Sequence, residues 1–362
     1  MMKDKIFKIA DDNIFLYLKW RGDLSFEQDK FNEIDAFIFT QLIYYNFTDI
    51  VKDEKILLKE ALKKFYEINN SRKFTLGLIF PNHMVELGKT IIKCKRYEEV
   101  YVSDFVDIYD KEKKEQFSAI TFHLDDKRKV ISYKGTDDTL IGWEEDLNMI
   151  ISFPIASQIS ALNYLCTVFD KYIDSSYDIV GHSKGGNLAM YAAMYANDEI
   201  KKQINKIFNF DGPGFETCDI DVVLYSKIKN KIRTILPSKS VIGMIFNQLG
   251  TVKAVKSNFK TLFQHDGFTW EVDGNKFARS TLSKSSTDFS KDLNVLVSTM
   301  DEEARKRFCE SVEKYIDSLG IKTLSELPTL KTKPISSLKV FTKNDRTVFL
   351  EFVKILIKDK VI

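Results

Sequence analysis

A serine stands between two glycines in Val180-Gly181-His182-Ser183-Lys184-Gly185-Gly186-Asn187. That spacing has a mechanical reason. A serine on a sharp strand-to-helix turn sits in strained backbone, and small residues two before and two after it, here Gly181 and Gly185, let strand and helix cross closely. The flanks supply the context, because Tyr177 to Val180 reads as a short strand and the alanine-rich Leu188 to Ala196 as a helix. Ser183 is therefore a candidate nucleophile, a hydroxyl able to attack a carbonyl carbon once a base removes its proton.

On an elbow of this kind the partners follow in the chain order Ser, Asp or Glu, His. The chain has four histidines, His83, His123, His182 and His265. The first two precede the serine, and the elbow is expected to point His182 elsewhere. His265 remains, in the loop His265-Asp266-Gly267 behind an expected strand from Phe259 to Gln264. The acid must orient the imidazole and stabilise its protonated form. Asp198, Glu199, Asp211, Glu216, Asp219 and Asp221 are the carboxylates available between Ser183 and His265, since none occurs from Val222 to Gln264. Asp211 directly follows the expected strand Lys206 to Phe210 and opens the tight Asp211-Gly212-Pro213-Gly214, so it is the favoured acid. As a turn residue it is expected near water.

A tetrahedral oxyanion needs backbone donors, one from the residue after the nucleophile, here Lys184, and one from an earlier loop of the sheet. Lys134-Gly135-Thr136 ends an expected strand, and Thr136 offers both an amide and a hydroxyl.

These groups need elements to hold them. Asn32 can cap a helix in which Ile34, Phe37, Ile38, Leu42 and Tyr45 recur at three and four residue steps, and Glu54 to Ile68 repeats the pattern. From Phe117 the period changes to that of two strands, Phe117 to Leu124 and Lys129 to Lys134, joined by a hairpin. A helix over Ser157 to Tyr172 precedes the elbow strand, and Ile232 to Leu236 is a further strand. Met300, Ala304, Phe308, Val312 and Ile316 step by four towards Gly320, and Thr347 to Ile357 is apolar enough for a docking helix. Val241-Ile242-Gly243-Met244-Ile245-Phe246 reads either as a buried helix or as a lid or acyl-chain surface.

The 362 residues are 44% hydrophobic and 29% charged, which is enough apolar material for a large core. Single cores stop growing at roughly 250 to 300 residues, so one elaborated domain is expected rather than two equal ones. A net charge of +2, from 54 basic and 52 acidic residues, provides no field to draw nucleic acid or an anionic membrane. Cys94, Cys166, Cys218 and Cys309 have no paired spacing for zinc, redox chemistry or a disulfide scaffold, and read as buried small hydrophobes. No run approaches the roughly 20 apolar residues of a membrane span. Met1 to Asp12 holds no signal-like apolar stretch, so a cytoplasmic location is expected.

The blocks Tyr133-Lys134-Gly135-Thr136-Asp137, Gly142-Trp143-Glu144-Glu145-Asp146-Leu147 and Gly181-His182-Ser183-Lys184-Gly185-Gly186 resemble the class 3, fungal-type triacylglycerol lipases. Their corresponding blocks are an Arg-Gly-Thr/Ser strand end, Trp-x-x-Asp and Gly-His-Ser-Leu-Gly-Gly. Trp20 to Leu24, Phe31 to Ala36, Gln116 to Ala119, Phe210 to Phe215 and Gln264 to Asp266 resemble more closely a bacterial lipase-like family of unknown function within the α/β-hydrolase superfamily. The resemblance spans roughly residues 15 to 275. It implies an α/β-hydrolase core with N-terminal and C-terminal helical additions, divided as 1–95, 96–280 and 281–362. Ser183 matches the nucleophile, His265 the base, Thr136 the oxyanion residue and Asp146 a buried supporting acid, with Trp143 a hinge or simply core. The chain departs from the lipase pattern at Lys134 and in Pro237-Ser238-Lys239-Ser240, where those lipases place the acid. The expected activity is ester hydrolysis on an acyl ester, with no cofactor or metal, no nucleic-acid partner, and transient contact with a lipid surface. The competing expectation is a hydrolase-fold binding or regulatory module without turnover.

Overall fold

The computed structural model describes residues 12–52, 54–69, 81–137, 142, 145–146, 148–259, 261–319, 346–347, 350–351 and 354–355. Its centre is a nine-stranded sheet in the order β1-β2-β3-β4-β5-β6-β7-β8-β11. β1 (Ile56–Leu57), β2 (Tyr101–Asp110), β3 (Glu115–His123) and β4 (Arg128–Tyr133) pair antiparallel. From β4 onward β5 (Ser176–His182), β6 (Ile204–Phe210), β7 (Ile232–Pro237) and β8 (Thr251–Val255) run parallel, and β11 (Arg279–Ser280) closes the edge antiparallel to β8. β9 (Val272–Asp273) and β10 (Lys276–Phe277) form a separate hairpin. The fold is that of an α/β hydrolase.

The parallel strands lie in chain order, so right-handed crossovers must put their helices on one face. There α5 (Ala156–Lys171) and α6 (Lys184–Tyr195) bury Leu165, Val168, Leu188 and Met190 against Ile179 and Ile207. α7 (Asp198–Gln203) and α8 (Val222–Ile228) complete those connections. The opposite face receives no crossover helix and is covered from the N-terminus. α1 (Ile14–Arg21), α2 (Glu33–Leu42), α3 (Leu58–Asn69) and α4 (Pro81–Ile91) share a cluster with Val180, Phe208 and Phe210. Asn32 caps α2 through a capping box with Asp35. Asp35 also takes hydrogen bonds from Arg96 (2.6 and 2.7 Å), Tyr17 (2.9 Å) and Tyr97 (2.9 Å), a buried network with every partner in place.

Helices α9 (Lys284–Ser298) and α10 (Glu302–Leu319) bury Phe289, Leu293, Val297 and Phe308 against Val241, Met244 and Phe246. Arg305 fastens them by donating to both oxygens of Glu216 (2.5 and 3.1 Å) and to the carbonyl of Ile150 (3.3 Å). No helix among the described residues is long and apolar enough to cross a membrane.

Several expectations need correction. Phe259 to Gln264 is not a strand, because β11 occupies the edge beside β8; Thr261–His265 instead forms a 3-10 turn. The strand in that region is β8, eight residues earlier at its start than expected. Met300 lies in the break between α9 and α10, where Asp301 accepts from the Ala304 amide (2.7 Å) and starts a new helix. Val241 to Phe246 contains only a 3-10 turn at Ile242–Met244. The helix expected from Glu54 begins at Leu58, after β1. Cys309 is buried, Cys94 and Cys166 are half-buried, and Cys218, on an exposed 3-10 turn, is not a core residue. Trp143 and Gly320 lie outside the described residues, as does most of Thr347 to Ile357, of which residues 347, 350–351 and 354–355 are helical.

Candidate active site

β5 ends at His182, α6 begins at Lys184, and Ser183 joins them with φ 57° and ψ −136°. That left-handed φ is strained for a residue with a Cβ and is the mark of the elbow. Its amide donates to the Phe210 carbonyl (2.9 Å), tying the turn to the neighbouring strand β6. A Cβ on Gly181 would overlap the backbone of Gly185, and one on Gly185 would overlap the Tyr133 carbonyl at the end of β4, so neither position admits a side chain. Gly135, at the end of β4, comes equally close. A Cβ there would stand 3.0 Å from the Cβ of Ser183 and 2.7 Å from the Tyr44 hydroxyl. The Gly135-Thr136 backbone thus passes directly beside the serine.

β6 ends one strand further on, and Asp211 follows it with φ 49°. The strain is supported by hydrogen bonds. Its amide donates to the Ile235 carbonyl (2.9 Å), and its Oδ1 accepts from Ser240 Oγ (2.5 Å) and the Gly243 amide (3.2 Å). Its Oδ2 stands 2.8 Å from His265 Nδ1. Asp211 is fully buried rather than near water, because the Ser240 to Gly243 turn closes over it. Burial raises its pKa, opposed by the His265, Ser240 and Gly243 hydrogen bonds. The loop Pro237 to Ser240, which lacks a carboxylate, contributes the hydroxyl that orients one.

His265 ends the 3-10 turn, and its neighbours fix that turn. Buried Gln264 accepts from the Lys239 amide (3.0 Å), donates to Phe259 O (2.6 Å), and offers its own carbonyl to Trp270 Nε1 (2.7 Å). His182, expected to point elsewhere, lies under the ring of His265 instead. Burial, reinforced by the nearby His265, pushes its pKa down to about 3, so it stays neutral. Phe37 of α2 meets its ring edge-on at 5.9 Å.

Thr136 Oγ1 donates its one proton to Asp146 Oδ2 (2.7 Å), so its hydroxyl is already committed. Burial pushes Asp146 up to about 6, against the pull of Lys184 and of the Thr136 hydrogen bond. The Lys184 side chain is buried on the far side of the elbow, where Nζ donates to Glu145 Oε2 (2.6 Å), Gln116 O (2.8 Å) and Gln116 Oε1 (3.1 Å). The Tyr44 hydroxyl faces Gly135, and burial together with Asp137, Asp266 and Asp146 holds its pKa well above the ordinary phenol value.

The structure thus brings Ser183, His265, Asp211, Thr136, Lys184, Asp146, Gly181 and Gly185 to the carboxyl ends of β4, β5 and β6. Asp198 lies exposed at the far end of α6, paired with Lys227 (2.7 Å), and Glu216 belongs to Arg305. Sequence reasoning gave Tyr44 and Glu145 no role, set His182 aside, and marked Ser240 only by its place in the loop where the class 3 lipases carry their acid. Glu145 had a signal in its place next to Asp146.

The family model described as Mbeg1-like matches residues 91–313. No curated protein matches the chain. Among solved structures it is similar to a Rhizomucor miehei lipase propeptide complex (14% identity, TM-score 0.36, 48% of this chain and 59% of that one). It is also similar to a lipase from Rhizopus microsporus var. chinensis (11%, 0.35, 68% and 86%). Lip2 lipase from Yarrowia lipolytica gives 12%, 0.33, 51% and 72%. The chain thus spans 59% of the length of the Rhizomucor miehei lipase chain.

Proposed function

The chain belongs to the Mbeg1-like family, and from that premise we propose that it is a serine hydrolase cleaving the carboxylic ester of a lipid or another acyl group. The observation that carries the reading is the 2.8 Å contact of His265 Nδ1 with the buried carboxylate of Asp211, beside a serine held at positive φ. Ser183 Oγ attacks the ester carbonyl while His265 Nε2 takes its proton. Asp211 stabilises the imidazolium through Nδ1. The oxyanion is held by the amides of Lys184 and Thr136. Collapse expels the alcohol, which receives the proton from His265, and leaves an acyl-serine. Water, deprotonated by His265, then releases the acid and restores Ser183. The chemistry needs no metal or organic cofactor.

The competing reading, a binding or regulatory module without turnover, draws on the helical additions and on the lack of a carboxylate in Pro237 to Ser240. Against the second of these, the hydrogen bond from Ser240 to Asp211 supports a triad whose acid comes from the preceding strand. The test is hydrolysis of short p-nitrophenyl esters, with fluorophosphonate labelling alongside. Wild type is expected to turn over and label. Ser183→Ala should lose the label and roughly 10⁴-fold or more in kcat, and His265→Ala about as much, because triad members act as a unit. Equal rates in wild type and Ser183→Ala would overturn the proposal.

A further inference from the structure

Lys184 has a conflict built into it. Its amide follows the serine directly and is the proposed oxyanion donor, yet its side chain ends in a charge that is 1% exposed, at a position where the class 3 lipase pattern carries leucine. A buried ion pair is rarely more stable than an apolar pair of the same volume. Its presence directly under the elbow therefore calls for a reason other than stability.

The partners of Glu145 supply one. Its Oε2 accepts from Lys184 Nζ (2.6 Å) and from the Gln116 amide (3.2 Å), and its Oε1 accepts from the Ser157 amide (3.0 Å). One carboxylate thereby joins the start of β3, the first turn of α5 and the first residue of α6. Lys184 Nζ spends all three protons, on Glu145 and twice on Gln116, so it has no alternative position. The next residue, Asp146, holds the hydroxyl of Thr136. Both residues are helical, and successive helical side chains project about 100° apart, which lets neighbours reach opposite sides of one loop.

We propose that Glu145 is a positioning residue for the oxyanion cradle: it fixes Lys184, and through it the Lys184 amide, relative to Thr136, which the adjacent Asp146 fixes. The two donors come from segments 48 residues apart in the chain, and this pair of consecutive carboxylates makes their separation a property of a single turn. The inference rests on the serine-hydrolase reading. It adds that a charge pair out of reach of the substrate sets the rate.

The test compares wild type, Glu145→Gln, and the apolar pair Glu145→Met with Lys184→Met. Each is assayed for kcat and KM on a p-nitrophenyl ester and for inhibition by an alkyl boronic acid, whose tetrahedral serine adduct occupies the cradle. Glu145→Gln should lower kcat by on the order of 10- to 100-fold with KM within about twofold, less than the 10²–10³ seen when a donor is removed outright. The boronate Ki should rise in parallel with the fall in kcat. If Glu145→Gln fails to fold, the Met pair decides, because it restores packing without the tether: a melt near wild type with low kcat and weak boronate binding supports the proposal. Wild-type kcat and Ki in either folded variant would overturn it. A wild type without Ser183-dependent turnover would instead sink the hydrolase reading itself.

Discussion

His182 donates from Nε2 to the backbone carbonyl of His265 at 2.7 Å, and the two rings lie 4.6 Å apart, tilted by 31°. The residue before Ser183 thus holds the backbone of His265, and Nδ1 of His182 has no partner among the described residues. His182→Phe keeps a ring but leaves that carbonyl without its donor. A net hydrogen bond is worth about 1 kcal/mol and tenfold is about 1.4, so kcat should fall roughly fivefold with KM little changed. Because His182 is already neutral above about pH 3, the pH profile of kcat/KM should keep its apparent pKa values. A shifted acid limb would show that His182 titrates during turnover.

Asp211→Asn tests the charge on the acid. In a comparable triad that change costs about 10⁴ in kcat. A turn aspartate near water would lose less, but Asp211 is fully buried beneath Ser240 and Gly243, so solvent cannot replace it. The expected loss is therefore the full ~10⁴. Asp219→Asn, outside the site, should retain activity. Kinetics on both, with thermal melts, decide the matter; an active Asp211→Asn would leave Ser183 and His265 as a dyad.

Asp146 gives a pH signature in stability. Its folded pKa, about 6, lies above the ordinary value of 3.8, so between those pH values the folded state binds more protons than the unfolded one. Stability from this group therefore rises as pH falls through 6 towards 4, and the charged form is a burden at neutral pH. Asp146→Asn removes that dependence. The Tm of the variant minus that of wild type should be most favourable at pH 8 and shrink steadily to pH 4. A flat difference across that range would place the carboxylate in an ordinary solvated setting.

The elbow was legible because its glycines and the change from strand to helix are local. Asp211 could be chosen by elimination, since no other carboxylate directly follows a strand between Ser183 and His265. What escaped was set by distant chain. Phe259 to Gln264 has strand-like residues, but whether a ladder edge is open depends on β11. Lys184 and Glu145, 39 residues apart, each look like surface charges until the fold buries them together. The water expected at Asp211 is excluded by a turn whose own sequence suggested a lid. His182 followed from neither pattern, because a strand end fixes which face a side chain takes and not what will lie across it.

Helix α2 leaves a consequence in time. Phe37 packs on His182, Phe210, Trp270 and Phe277, while Glu33 accepts from the Phe277 amide (2.8 Å), 244 residues ahead. A ribosome adds about 5 to 20 residues per second, so the roughly 170 residues from α2 to the end of β6 take about ten to thirty seconds to emerge. Throughout that interval the helix has been made and the sheet face it covers is incomplete, since β4, β5 and β6 follow one after another. The apolar stripe later sealed beneath β5 is thus incompletely covered on every newly synthesised chain, and the nascent polypeptide is the form in which that surface is open to other contacts.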